Sequence, residues 1–324
     1  MKTFLTDPRA AARCRGDVEL WQLVERLRGL PVGRGRRDEE RRLVAEEIHA
    51  SARLAGAALD PVEVRALVER GQALGEHRLV DYLIVVGYAD AAAWIAGQAA
   101  VGDRRGHAFL KLDEIADLHA RVGTPLDRRT GARPREVSPW RSTAHSAFAD
   151  GMISPPPWLI NFELTAFVER FAHGPTEGES PAKWVAAALE RFTRIQPFAF
   201  ANGRVARLVV NLLLRRLGLP PFAVAPRDAA RFRAALRQAD SSDLGPLAAL
   251  LTRVLVAGLA RLVSASDPDQ QLVRLTEAAA PRERAAFYKA AQRGRLRTVR
   301  RGSELLTTHA WIEEYRAIRP QRLT

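Results

Sequence analysis

Apolar positions recur through most of this chain at three- and four-residue intervals, the spacing of one face of a helix. Leu20, Trp21, Leu23, Val24 and Leu27 place an amphipathic helix over residues 9–30, stopped by Gly29-Leu30-Pro31. Further helices are expected over 38–54, over 60–75 with Pro61 at a helix start, and over 79–100, where Leu83, Val86, Ala92, Trp94 and Ile95 are apolar. The segment 110–122 reads as another, closed by Gly123. Between 124 and 157 the period is lost among Gly131, Pro134, Pro139 and Gly151, with 133–141 and 142–153 as candidate strands. Helical spacing returns over 158–171 and 181–194, separated by a Gly/Pro/Ser/Glu-rich loop from His173 to Ser180, and again over 227–238 and 243–264.

The densest pattern lies at 195–216, where a short loop with Asn202 and Gly203 runs into an apolar helical segment from about Val205. A helix start presents unpaired N–H groups and a partial positive charge, so such a loop can hold a phosphate. Arg204 and Arg207 are one turn apart, and both guanidinium groups can reach one anion. The same residues also fit a core helix with a polar N-cap and two solvated arginines, and the spacing alone leaves the two readings level.

Pro197, Phe198, Asn202, Gly203, Arg204, Arg207, Leu208 and Asn211 match, position by position, the signature of the Fic (Fido) family, and Gly218-Leu-Pro-Pro-Phe222 resembles the segment that follows it there. This resemblance spans about residues 40–260. It implies a mainly α fold, a helical core with a small β-hairpin flap, in a protein that moves AMP or another phosphate-containing group from a nucleotide onto a protein hydroxyl. Three positions depart from the signature. Gln196 stands where the family has its histidine base, and an amide cannot exchange a proton near neutral pH. Phe200 stands where a carboxylate holds Mg²⁺, and it offers no hard oxygen. Ala201 replaces a glycine and would distort the loop wherever its backbone needs positive φ. What remains is a phosphate cradle at Asn202, Gly203, Arg204, Arg207 and Asn211, with ATP or another nucleotide as the ligand and no magnesium held by the loop.

Upstream, Ser51, Gly56, Leu59, Glu63 and Val64 match the inhibitory helix of many Fic proteins, whose glutamate pairs with the second signature arginine. Ala55 replaces that glutamate, so the brake is expected to be missing along with the catalytic groups. In the family the span 124–157 is the flap, under which a protein target aligns. His145 falls in it and is a speculative substitute for the base; a solvated loop histidine is the plainer reading.

Net charge is +13 and the sequence pI near 11.0. Such a balance suits a polyanionic partner, although Lys2, Lys111, Lys183 and Lys289 supply the lysines and the arginine excess equally fits a compositional bias. A single cysteine, Cys14, excludes an internal disulfide and a Cys-rich zinc site. No apolar leader stands at the N-terminus and no run approaches ~18 apolar residues. The expectation is a cytoplasmic protein with no metal and no membrane partner.

The last sixty residues change character. Leu275–Ala280, Arg284–Gly302 and the segment 305–315 resemble the small winged helix-turn-helix of excisionase and MerR-like proteins. That resemblance implies a recognition helix over 284–293, Gly294 as its C′ glycine and Arg300-Arg301-Gly302 as the wing tip. Lys289 and Gln292 would face base edges, and Lys289, Arg293, Arg295, Arg297, Arg300 and Arg301 phosphates. A basic module that packs on the core or binds protein is the alternative. The expected organisation is an N-terminal helical region over 1–100, a Fido domain over 101–264 and a basic module over 270–324. Three functions follow: a Fic-fold protein that binds a phosphate ligand without AMP transfer, an enzyme of different chemistry on the same scaffold, and a DNA-binding regulator.

Overall fold

The computed structural model describes residues 15–30, 32–98, 108–130, 139–144, 152–176, 178–266 and 272–318. By packing, the chain divides into two compact units, 1–21 with 42–255 and 22–41 with 256–324. Three helices, α1 (Arg15–Arg28), α2 (Arg34–Leu54) and α10 (Gly245–Ser266), contribute residues to both.

The regular elements of the first unit are helices, among them α3 (Pro61–Arg70), α4 (Leu79–Ala96), α5 (Leu112–Thr130), α6 (Ile160–Phe171), α7 (Pro181–Ile195), α8 (Asn202–Arg216) and α9 (Ala229–Asp240). Local chemistry sets the ends. Asp60 accepts from the amides of Val62 and Glu63 while Glu63 reaches back to the Asp60 amide, a reciprocal cap that starts α3. Ser180 does the same for α7 through the Lys183 amide and also donates to Asp17 of α1 at 2.8 Å.

α8 is the axis of the unit and packs on α4, α5 and α7. Val205, Leu208, Val209, Val210, Leu212, Leu213 and Leu214 are all buried, each removal from water worth roughly 1.5–3 kcal/mol before chain entropy is counted. α4 and α5 come so close that a Cβ on Gly87 would stand 2.6 Å from the Val122 carbonyl oxygen, so only glycine fits there. Phe109, Phe171 and Trp184 meet edge to face beside α7.

In the second unit β1 (Val273–Arg274), α11 (Leu275–Ala278), α12 (Arg284–Gln292), β2 (Val299–Arg301), β3 (Glu304–Thr307) and α13 (His309–Ile318) follow in order. The strands form an antiparallel sheet in the order β1-β3-β2, with Val273 opposite Thr307 and Arg301 opposite Glu304. Leu275, Phe287, Leu296 and Ile312 make its core. Gly294 closes α12 at φ +67, and Gly302 turns the hairpin at φ +57.

The expected fold, mainly α with a tiny sheet, is the one found, with two corrections. α5 does not stop at Gly123 but runs on to Thr130; Gly123 keeps a helical φ, and a glycine ends a helix only when it turns left-handed. Two helices, Leu79–Ala96 and Gly245–Ser266, are long and apolar enough to cross a membrane, contrary to the expectation of no such run. Both bury apolar side chains in this fold, Ile84, Val85 and Tyr88 on α4 and Leu247, Leu251 and Leu255 on α10. The strands expected over 133–141 and 142–153 fall largely outside the described residues, and 139–144 and 152–156 hold no strand.

Within the second unit, Glu39 is 1% exposed and accepts from Arg261 Nε and Arg301 Nη2, both at 2.6 Å. Removing the shared acid would take this carboxylate from two cations at once. Glu39→Ala is therefore expected to cost about 3–5 kcal/mol, read as an earlier urea midpoint; an unchanged midpoint would show that the triad does not hold this unit.

Candidate functional site

Between α7 and α8 the chain makes a loop whose shape its own side chains enforce. α7 ends as Gln196 turns left-handed, φ 44 and ψ 63, its amide still bonded to the Phe192 carbonyl. Asn202 then closes the loop: its Oδ1 accepts from the Phe198 amide at 2.9 Å and its Nδ2 donates to the Phe198 carbonyl at 2.7 Å. Ala201 adopts φ +64 and its carbonyl receives the amides of Arg204 and Val205, so the loop keeps its turn without the glycine, at the strain cost a Cβ brings there. Arg141, 3% exposed, braces it from outside. Its guanidinium donates to the carbonyls of Gln196 (2.7 Å), Thr143 (2.8 Å) and Pro155 (2.5 Å), and its amide to that of Pro197.

The loop delivers α8 with its N-terminus at the surface and four polar side chains in the core. Arg216 pairs with Glu114 and donates to the Phe109 carbonyl. Asn211 donates to Glu47 at 2.8 Å and accepts from the Phe222 amide at 2.7 Å. Arg207, 7% exposed, donates through Nε to Ser51 Oγ at 2.7 Å and through Nη2 to the Ser51 carbonyl at 3.1 Å. Arg204 is equally deep at 9% exposed, yet its Nη1 is buried without a hydrogen-bond partner among the described residues. Burial first, and then the neighbouring Arg207 charge, push the Arg204 guanidinium down to about 10.

His119 of α5 supports the loop from beneath. Its ring stacks on Phe198 with centroids 3.8 Å apart and lies 4.9 Å from Phe200. Burial drives it down to about 4, against the pull of the Phe200 carbonyl, so it is neutral at physiological pH. The phenyl ring of Phe200, 39% exposed, occupies the loop position expected of a metal ligand. No group of three or more His, Cys, Asp or Glu converges among the described residues. An open cleft of about 410 Å³ adjoins the end of α7, between Pro155, Pro156, Glu163, Arg191 and Arg194.

Of the residues expected to hold phosphate, Gly203, Arg204 and Arg207 come together at the first turn of α8. Asn202 builds the loop with its side chain. Asn211 lies in the core: at ~1.5 Å per residue it sits more than two turns from the helix start, and its amide is bonded to Glu47 and Phe222. Ser51 is at the end of α2 facing Arg207, while Ala55 and Gly56 form the turn beyond it. The helix thus still grips the second arginine without the missing glutamate. His145 lies outside the described residues. In the second unit Lys289, Gln292, Arg293, Arg295, Arg297 and Arg300 are exposed, whereas Arg301 is turned to Glu39. Arg141 and His119 escaped the sequence reading because an arginine in an aperiodic segment and a histidine on a helical face carry no local signal.

Residues 109–214 match the family model described as Fic/DOC family, so the chain carries a Fic domain. It is 25% identical over 208 residues to a protein adenylyltransferase Fic of Nematostella vectensis, covering 64% of this chain and 46% of that protein. The chain therefore spans less than half of that relative. Among solved structures, Fic-1 of C. elegans superposes with a TM-score of 0.65 at 22% identity, covering 78% of this chain and 71% of that one. A Fic domain containing signaling protein from Bacteroides thetaiotaomicron gives a TM-score of 0.66 at 21% identity, over 78% of this chain and 96% of that one. These likenesses establish the helical fold.

Glu47 offers a pH test of the buried network. Burial raises its carboxyl from 4.5 to about 7, against the opposing pulls of the Tyr88 hydroxyl, the Arg207 charge and the Asn211 amide. A folded-state value above the unfolded one gives stability that is full below pH 4.5 and is lost as pH rises to about 7. Glu47→Gln keeps an acceptor for Tyr88 and Asn211 but cannot ionise. Relative to the wild type, the variant should gain on the order of 3 kcal/mol between pH 4.5 and pH 8 in urea unfolding. Parallel pH profiles would place Glu47 outside any such linkage.

Proposed function

We propose that this protein binds a phosphate-bearing ligand, a nucleotide in the first instance, at the N-terminus of α8, and does not carry out AMP transfer by the chemistry of its relatives. The observation that carries the reading is Arg204. It is nine-tenths buried, is repelled by Arg207 and, among the described residues, has no acidic side chain in contact and no partner for Nη1. An orphaned buried donor of this kind costs about 1–3 kcal/mol, and more when charged; an anion at the helix start would relieve it while meeting the free amides of the first turn. Gln196 supplies no base and Phe200 no metal ligand, so the cradle is favoured for binding over transfer.

Calorimetric titration with ATP, with and without Mg²⁺, tests this. Binding should be indifferent to Mg²⁺ and should weaken roughly 10- to 100-fold in Arg204→Ala, the weight of a charge-assisted hydrogen bond. Binding that requires Mg²⁺, or that ignores Arg204, would overturn it.

A second reading, duplex DNA binding by the last fifty residues, draws support from α12. Ala285, Tyr288, Lys289 and Gln292 are exposed at i, i+3, i+4 and i+7, one uncovered face of small and polar side chains. Exposed Arg293, Arg295, Arg297 and Arg300 flank it. Such a helix has the width of the major groove, with cations placed for the phosphates on either side. Fluorescence anisotropy with labelled duplex should show affinity falling with salt. Replacing Arg293, Arg295 and Arg300 with alanine should make the log–log slope shallower by about 3. An unchanged slope would sink this reading.

A further inference from the structure

We infer that Phe200 gives the cradle a second recognition element, a ring face on which the base of a bound nucleotide stacks. The inference rests on the phosphate-binding reading of α8 and names the feature of the ligand, beyond its phosphate, that the site selects.

The two phenylalanines of the loop are placed differently. Phe198 is fully buried, stacked flat on His119 and 5.4 Å from the Trp140 ring, and serves the core. Phe200 touches the same histidine, with ring centroids 4.9 Å apart and planes tilted by 51°, yet 39% of it is exposed. Apolar surface left in water adds nothing to packing, and a ligand that covers it gains the free energy of its removal from water. The ring is also fixed in place. His119 lies against it and donates to the Phe200 carbonyl, so one neutral imidazole holds both side chain and main chain. A platform already ordered loses little freedom when a ligand lands on it.

The position of Phe200 relative to the anion site decides what lands there. It precedes Asn202, the first residue of α8, by two positions, and the left-handed turn at Ala201 keeps that link short of the roughly 7 Å it would span when extended. Arg204, whose buried Nη1 has no partner among the described residues, lies close enough for its charge to act on His119. An exposed aromatic ring and a cation without an anion thus stand within the length of one small ligand. In a nucleotide a single ribose separates the phosphate from a flat base, and that base brings the π-face the ring can stack on. Such stacking is tolerant of base identity, because every base presents a π-face.

The full chain can be titrated calorimetrically with AMP and with ribose 5-phosphate, as wild type, Phe200→Leu and Phe200→Tyr. The two ligands share one phosphate monoester and differ in the base. The wild type should bind AMP about tenfold or more above ribose 5-phosphate, the worth of one base stacked on an aromatic side chain. Phe200→Leu keeps an apolar side chain without a π-face; AMP should fall to the level of ribose 5-phosphate, whose own affinity should stay put. Phe200→Tyr keeps the ring and should keep the preference, which separates loss of the platform from damage to the loop. Equal wild-type affinity for the two ligands would overturn the inference, as would a Phe200→Leu variant that retains the preference or weakens both ligands alike. Absence of binding by both ligands to all three proteins would instead overturn the phosphate-binding reading beneath it.

Discussion

The constraint on which the first unit depends is that α8 carries three arginines and an asparagine through an apolar core. Each buried cation must find an acceptor or cost several kcal/mol. The surrounding helices are placed where those acceptors are needed: α5 supplies Glu114 to Arg216, and α2 supplies Ser51 to Arg207 and Glu47 to Asn211. Removing any of these partners would strand a donor in the core. Arg204 is the exception that gives the site its chemistry, since its unpartnered nitrogen is tolerable only next to a place where an anion or solvent can come.

The same logic separates the residues that shape the loop from those that would react in it. Asn202 closes the turn on the peptide of Phe198, Arg141 collects the carbonyls of Gln196, Thr143 and Pro155, and His119 lies flat under Phe198. None of these interactions uses a side chain at 196, 200 or 201. Gln196 and Phe200 therefore stand in the loop without their side chains entering these bonds, and Ala201 takes the left-handed turn open to a glycine. Side-chain hydrogen bonds from Asn202 and Arg141 to the backbone define the outline of the loop.

Much of this was legible in the sequence, because helices with one apolar face announce themselves by their period and loops by their turn residues. The helices of the first unit lie close to where the pattern places them, and the run from Gln196 to Asn211 points at once to the loop and its helix. The failures have physical causes. Gly123 reads as a stop, but a stop needs a left-handed φ, which only the packed structure reveals. Asn211 reads as part of a cradle because it lies in the signature, yet the helical rise carries it into the core. At Ala55 the sequence shows the missing carboxylate and not the contact that the hydroxyl of Ser51, one turn earlier, makes with Arg207.

That last point bears on how a helix such as α2 is best understood. A glutamate facing a signature arginine is an obvious acceptor, and its replacement by alanine suggests that α2 and α8 have parted company. Arg207 is 7% exposed, however, and a buried guanidinium cannot be left without acceptors. Once the carboxylate is gone, another group on the same helix must serve, and the Ser51 hydroxyl and carbonyl are in reach. The substitution changes the character of the contact rather than abolishing it: a neutral acceptor holds Arg207, and Glu47, whose carboxyl burial raises to about 7, is the acid of α2 that acts on its charge.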